Sequence, residues 1–213
     1  MKKKMMAGCM AGLALLMGSC AGKAGQAEKP AGDSLYLLVG SYAESTQEGV
    51  KVYEFDQEKG TGTYLSGLKG ISNPSFLTVS GNGERVYAVG EDADEGSTAN
   101  ALAFDRKTGS LTLLNSAFTG GGAPCNITLS PKEDYVLTAN YMGGSVSVFP
   151  LDGDGRLKES KVIQFEGKGP DPERQSQPHL HSVLFTPDSK WLLANDLGTD
   201  RIHVFPVNDS VKG

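Results

Sequence analysis

Apolar and polar positions alternate along this chain in short runs, and the runs recur in a fixed order. Residues 73–91, 123–152 and 177–208 repeat one pattern at a spacing of roughly fifty residues. Each opens with a short strand, turns tightly, and continues into a second strand and a loop. In the clearest copy, residues 127–130 and 135–139 flank a Pro-Lys-Glu-Asp turn. Residues 145–149 alternate about Val146 and Val148, and a fourth strand is expected over 157–165. Phe55-Asp-Gln-Glu-Lys-Gly60, Phe104-Asp-Arg-Lys-Thr-Gly109 and Leu151-Asp-Gly-Asp-Gly155 mark the turns between third and fourth strands. The acidic run in the last resembles a calcium loop but lacks the further spaced carboxylates, so a hairpin turn is expected there.

A repeat of this length built from short strands predicts an all-β chain of β-propeller blades, labelled a to d from the axis outward. The first strand, 34–39, matches position b, followed by c at 49–55 and d at 63–68. Two complete four-strand blades follow, and from His179 onward strands a, b and c. The count is fourteen strands, in groups of three, four, four and three. That is half of a seven-bladed ring, about three and a half four-stranded blades. The expectation is a partial propeller over 34–213, the first part of a longer ring.

The N-terminus follows different rules. Lys2, Lys3 and Lys4 precede an apolar stretch from Met5 to Met17, too short to span a bilayer, and then Gly18-Ser19-Cys20. This reads as a signal peptide over 1–19, with Met17-Gly-Ser-Cys20 resembling a lipobox and Cys20 the acylated residue. Residues 20–33 then form a small-residue tether. The expected location is the bacterial cell envelope, periplasmic or outer-membrane face, lipid-anchored. Without those three lysines, the 20 basic residues become 17 against 25 acidic, so the lipid and not a basic surface would hold the chain to the membrane. The remaining basic residues are scattered, which argues against a nucleic-acid partner. Three cysteines make no disulfide framework, and Cys125 reads as a small semi-buried side chain.

Candidate chemistry gathers on one face of the blades, where strand a begins, strand b ends and the b–c loop lies. Asn73, Glu91, Asn140, Tyr141, Asp196, His179 and His181 all fall there. Glu91, Asn140 and Asp196 are taken as matching positions of successive blades, either binding on the rim or tying the b–c loop. His179 and His181, two apart on a strand, are expected on one side of the sheet. Three roles fit them: acid/base or substrate-binding work near neutral pH, metal ligation with Asp196 or Glu91, or capping the strand. Arg174, in the polar loop 167–178, would fork onto a carboxylate or phosphate, or stand as a solvated charge. His203, on strand c, reads as structural.

The strings Asn140-Tyr-Met-Gly-Gly-Ser-Val-Ser-Val-Phe149, Gln177-Pro-His-Leu-His-Ser-Val183 and Phe185 to Ile202, with Glu91 ending a Val-Tyr-Ala-Val-Gly-Glu strand, resemble the lactonase family of seven-bladed propellers. That family includes the bacterial propeller-type 6-phosphogluconolactonases and is related to carboxy-muconate lactonizing enzymes. The resemblance covers residues 35–207. It implies hydrolysis of a sugar lactone with no cofactor and no metal. His181 would be the catalytic channel histidine, with Arg174, His179, Asn140, Glu91 and Asp196 binding substrate. Family members also use an acidic residue and arginines from later blades, which have no counterpart here. Two alternatives stand beside this reading: a non-catalytic envelope binding propeller, and an inactive half-propeller fragment.

Overall fold

The computed structural model describes residues 35–94 and 96–207. The signal segment, the tether and the lipidation position Cys20 lie outside the described residues. Fourteen strands and no helix fill the described chain. They are β1 (Leu35–Gly40), β2 (Val50–Asp56), β3 (Thr61–Leu68), β4 (Leu77–Val79), β5 (Arg85–Gly90), β6 (Thr98–Asp105) and β7 (Ser110–Phe118), then β8 (Pro124–Leu129), β9 (Tyr135–Asn140), β10 (Ser145–Pro150), β11 (Lys161–Gln164), β12 (Leu180–Phe185), β13 (Trp191–Asp196) and β14 (Arg201–Pro206). They form four sheets of three, four, four and three strands, each an antiparallel meander of consecutive strands.

The repeat is visible at the level of single hydrogen bonds. Ser80, Ser130 and Thr186 each donate their backbone N–H to the carbonyl of the residue five further on, at 2.9 Å, closing the a–b turn of three successive sheets. The third residue after each is left-handed: Gly83 at φ 71°, Glu133 at 55° and Ser189 at 60°. Glycine takes that conformation freely, whereas the two side chains adopt it against a steric penalty.

The middle strands bury both faces, so their side chains serve two cores in alternation. On β5, Val86 and Ala88 pack toward the first sheet with Val52, Leu102 and Phe104. Tyr87 and Val89 face the third sheet, with Ile127, Val136 and Phe149. On β9, Leu137 and Ala139 meet Leu180, Val183 and Ala194 of the fourth sheet. Each fully buried Val or Leu contributes about 1.5–3 kcal/mol of transfer free energy. The two outermost faces carry apolar side chains in the open: Leu35, Leu37 and Val39 on β1, and Ile202 and Val204 on β14.

The expected strand over 157–165 is shorter, running Lys161–Gln164 only. Asn115 of β7 explains this. Its amide donates to the Leu157 carbonyl at 2.8 Å and accepts from the Leu157 N–H at 3.1 Å. Leu157 is thereby held in the core between the second and third sheets, where it makes an isolated bridge to Leu151 and is separated from the strand that follows. The Asp152 turn is a hairpin as expected: its carboxylate accepts the N–H groups of Asp154 and Arg156, both at 2.9 Å.

Candidate active site

A cleft of about 360 Å³ lies on the face where a strands begin and b strands end, lined by Tyr42, Ser75, Glu91, Cys125, Tyr141 and His181. These are not unrelated neighbours. Ser75, Cys125 and His181 each stand five residues before the turn-closing residues Ser80, Ser130 and Thr186, so they are one position of the repeat. Glu91 and Tyr141 are likewise equivalent. Their N–H groups donate to the carbonyls of Asn73 and Ala123, at 3.0 and 2.8 Å, and both acceptors are left-handed.

Two β-bulges aim the a-strand side chains. In β8 the pairing skips from Pro124 to Asn126, and in β12 from Leu180 to Ser182. Cys125 and His181 are therefore the extra residues of their strands. A bulged residue leaves the ladder and its side chain is redirected, a common device beside functional sites. The bulge also corrects the expectation that His179 and His181 share one side of the sheet. His181 is exposed in the cleft, whereas His179 is buried behind it, ahead of the bulge. The His179 ring stacks on Tyr141 at 4.4 Å, and its Nδ1–H donates to the Tyr141 carbonyl at 2.9 Å. A carbonyl only accepts, so this contact fixes the proton on Nδ1. Tyr141 then presents its ring to His181 edge-on at 5.9 Å. His179 supports the aromatic wall against which His181 stands.

Glu91 is held from two sides. Tyr42 Oη donates to Oε1 at 2.9 Å, and Ser75 Oγ donates to Oε2. The carboxylate in turn marks its surroundings. Hydrogen bonding to Glu91, burial and the Glu91 charge raise the Tyr42 phenol above its ordinary value. Burial, then the Glu91 charge, pushes the Cys125 thiol up to about 12. Its Sγ points to the His181 carbonyl at 3.4 Å. A thiol held protonated is no nucleophile near neutral pH.

Three expected site residues sit elsewhere. Asn140 and Asp196 are the last residues of β9 and β13, so they correspond to Gly90 and not to Glu91. This one-residue offset corrects the sequence alignment of the three, and in a strand it moves a side chain from one face to the other. Both are fully buried, not on the rim. Asn140 accepts from Thr138 Oγ1 at 2.9 Å and donates to Ser145 Oγ and Ser147 Oγ at 3.0 and 2.7 Å. Asp196 accepts from the His179 and Gly198 N–H groups and from Thr199 Oγ1, at 2.8, 3.0 and 2.6 Å, with His203 Nε2 at 3.4 Å. Burial would raise the Asp196 carboxyl, but these donors hold it below its ordinary value. Gly198 allows the loop to close: a Cβ there would collide with the Gln177 carbonyl and the His179 amide. Arg174 is exposed and lines a separate hollow with Asp171, Gln175, Leu197 and Asp200.

Tyr42, Ser75 and Cys125 were not singled out as site residues from the sequence. Aligning the three repeats on their turns and reading back five residues from each, with His181 as the guide, finds Ser75 and Cys125. Tyr42 carries no comparable signal, because its blade has no a strand among the described residues.

The arrangement offers an exposed imidazole, a fixed carboxylate able to accept hydrogen bonds from hydroxyls, and two aromatic walls. No Lys or Arg is among the six residues lining the cleft.

Residues 36–212 match the family model described as lactonase, 7-bladed beta-propeller. A 6-phosphogluconolactonase of Bacillus subtilis is 35% identical over 175 residues, 81% of this chain and 49% of that protein. A solved structure from Bacteroides fragilis superposes with a TM-score of 0.78 at 44% identity, covering 83% of this chain and 49% of its own. The periplasmic gluconolactonase of Pseudomonas aeruginosa gives a TM-score of 0.73 at 34% identity, over 80% and 49% of the two chains. The chain spans about half the length of the curated relatives it matches.

Proposed function

We propose, from the premise that this chain belongs to the lactonase family of seven-bladed β-propellers, that its cleft serves the hydrolysis of a sugar lactone. The observation that carries the reading is the bulge that turns His181 out of its strand and into a cleft opposite a fixed carboxylate. Lactone hydrolysis needs a base for the attacking water and donors for the oxyanion that forms on the ring carbonyl. His181 takes the water proton and returns it to the ring oxygen as the C–O bond breaks, so the products are the hydroxy acid and no net proton transfer to the enzyme. Glu91 accepts substrate hydroxyls, and Tyr141, backed by His179, holds the ring against His181.

Export belongs to the same proposal. The lysine–apolar–Cys20 pattern supports a lipid-anchored protein of the cell envelope acting on lactones there. Asn140 and Asp196 enter this mechanism as the polar interior that fixes the ends of β9 and β13.

The test is acid release from a sugar lactone, followed at constant pH, by the protein and by its His181→Ala and His181→Gln variants. A drop of about 10²–10⁴-fold in kcat is expected from loss of the base. An unchanged rate would remove His181 from the mechanism. Saturable lactone binding without turnover by the unmodified protein would replace the enzyme with a binding propeller.

A further inference from the structure

His181 is aimed by a bulge, and a bulged residue lies outside the ladder that holds the rest of its strand. Side chains hold this one instead. On one side, Asp196 of β13 accepts the His179 N–H at 2.8 Å. On the other, Asn126 of β8 accepts the Val183 N–H at 2.9 Å through Oδ1. Cys125, the residue before it, brings its Sγ to 3.4 Å from the His181 carbonyl itself. His181 thus stands midway between two N–H groups, each taken by a side-chain oxygen.

The Asn126 contact differs from the Asp196 contact because it crosses from the third sheet to the fourth. Among the described residues β12 pairs with β13 alone, so its other edge offers backbone groups to no strand. Val183 is buried, and a buried N–H requires an acceptor. In a regular strand Cys125 and Asn126 would point to opposite faces. The bulge of β8 at Cys125 lets both reach β12. The neighbouring repeats do not reproduce the contact. Asn126 follows Cys125 as Phe76 follows Ser75 and Ser182 follows His181. Phe76 has no side-chain acceptor, and Ser182 Oγ accepts from the Asn195 amide within its own sheet, at 2.6 Å.

We propose that Asn126 is a positioning residue for His181, fixing the bulge from the neighbouring sheet and so setting where the imidazole stands against Tyr141. What His181 does there rests on the lactone-hydrolase reading; where it stands does not.

The test compares the full chain with its Asn126→Leu variant, which removes the acceptor at similar volume, and its Asn126→Asp variant, which keeps one. Three quantities are measured: amide hydrogen exchange at Val183, the nuclear Overhauser effect between the His181 and Tyr141 rings, and kcat and KM on a sugar lactone. In the unmodified protein Val183 should exchange slowly and the ring contact should be seen. Asn126→Leu should lose both, with kcat falling about 10–100-fold from misplacement of the base and KM staying within about twofold. Asn126→Asp should restore the ring contact and most of kcat. Fast exchange at Val183 in the unmodified protein overturns the proposal, and it does so without a variant where Asn126→Leu does not fold. An Asn126→Leu protein that melts lower but keeps the ring contact and kcat overturns it too, as does an Asn126→Asp protein that behaves like Asn126→Leu. Loss of the lactonase reading looks different: the unmodified protein hydrolyses no lactone, yet the ring contact still depends on an acceptor at position 126.

Discussion

Tyr42 and Glu91, 49 residues apart in the chain, are joined by a hydrogen bond of 2.9 Å that runs from the first sheet to the second across the mouth of the cleft. The bond couples an exposed phenol to a carboxylate, and the coupling is measurable. Its cause is chiefly the hydrogen bond, which favours the protonated phenol, with burial and the carboxylate charge adding to it.

Tyr42 should therefore titrate above 10 in the folded protein. A folded value raised above the unfolded one stabilises the fold below the unfolded pKa, and that contribution is lost as pH rises through the folded value. NMR titration of ring-labelled tyrosines, with Tyr42→Phe for assignment, should show the Tyr42 midpoint fall toward 10 in Glu91→Gln. A midpoint that ignores Glu91→Gln would mean that the bond is not populated in solution.

Cys125 should be slow to react. With its thiol pushed up to about 12, the thiolate fraction at pH 8 falls about a thousandfold below that of the unfolded chain. In a chain carrying Cys9→Ser and Cys20→Ser, a disulfide reagent should modify Cys125 slowly when native and rapidly in urea. Comparable rates in the two states would contradict the buried, carboxylate-shadowed thiol.

Asp196→Ala should destabilise the fold by about 2–4 kcal/mol, because it strands two buried N–H groups and the Thr199 hydroxyl. The Asp196 carboxyl is depressed in the folded state, so its stabilisation is present above the unfolded value near 3.8 and is lost as pH falls through the folded value. Urea unfolding should show the variant trailing the parent at pH 7, with the gap narrowing as pH drops below 4. A constant gap would assign the loss to packing instead.

Ser189→Gly should stabilise the protein modestly. Ser189 sits at φ 60° in a turn where the second sheet has Gly83. Relief of about 1–2 kcal/mol of left-handed strain exceeds the 0.5–1 kcal/mol of added unfolded-state entropy, leaving a gain of roughly 0.5–1 kcal/mol. Thermal unfolding decides the sign, and a lower midpoint would mean that the serine earns its place through a contact of its own.

The strand count and the grouping of strands into blades were legible in the sequence, because the core alternation repeats three times and each repeat carries its own turn. The face bearing the cleft was legible for the same reason. What the pattern hid was register. Counting forward along strand b placed Glu91 beside Asn140 and Asp196, but the strands end one residue earlier, at Gly90. Thr98 and Asn100 on β6 reach into the space that Gly90 leaves empty, Asn100 donating to the Ala88 carbonyl at 3.2 Å and to Thr98 Oγ1 at 3.1 Å, while the next sheet fills the matching space with Asn140. The polar clasp has changed strands between blades, so matching residue types points to the wrong partner. The bulges at Cys125 and His181 escaped notice because a bulge is a property of pairing, invisible in a single strand read alone. Tyr42 could be placed only by folding two sheets against each other.

Every sheet here is woven from strands that are consecutive in the chain, and among the described residues no strand pairs with a strand of another sheet. All backbone ladders thus close between neighbours along the polypeptide, and only side chains and short loop contacts join one sheet to the next. Loop closure is then brief at each step, and a sheet can form soon after its last strand leaves the ribosome. The cleft obeys the opposite rule. Each sheet contributes one or two side chains to it, so it is the last feature to appear during assembly, arriving only when separately completed sheets dock.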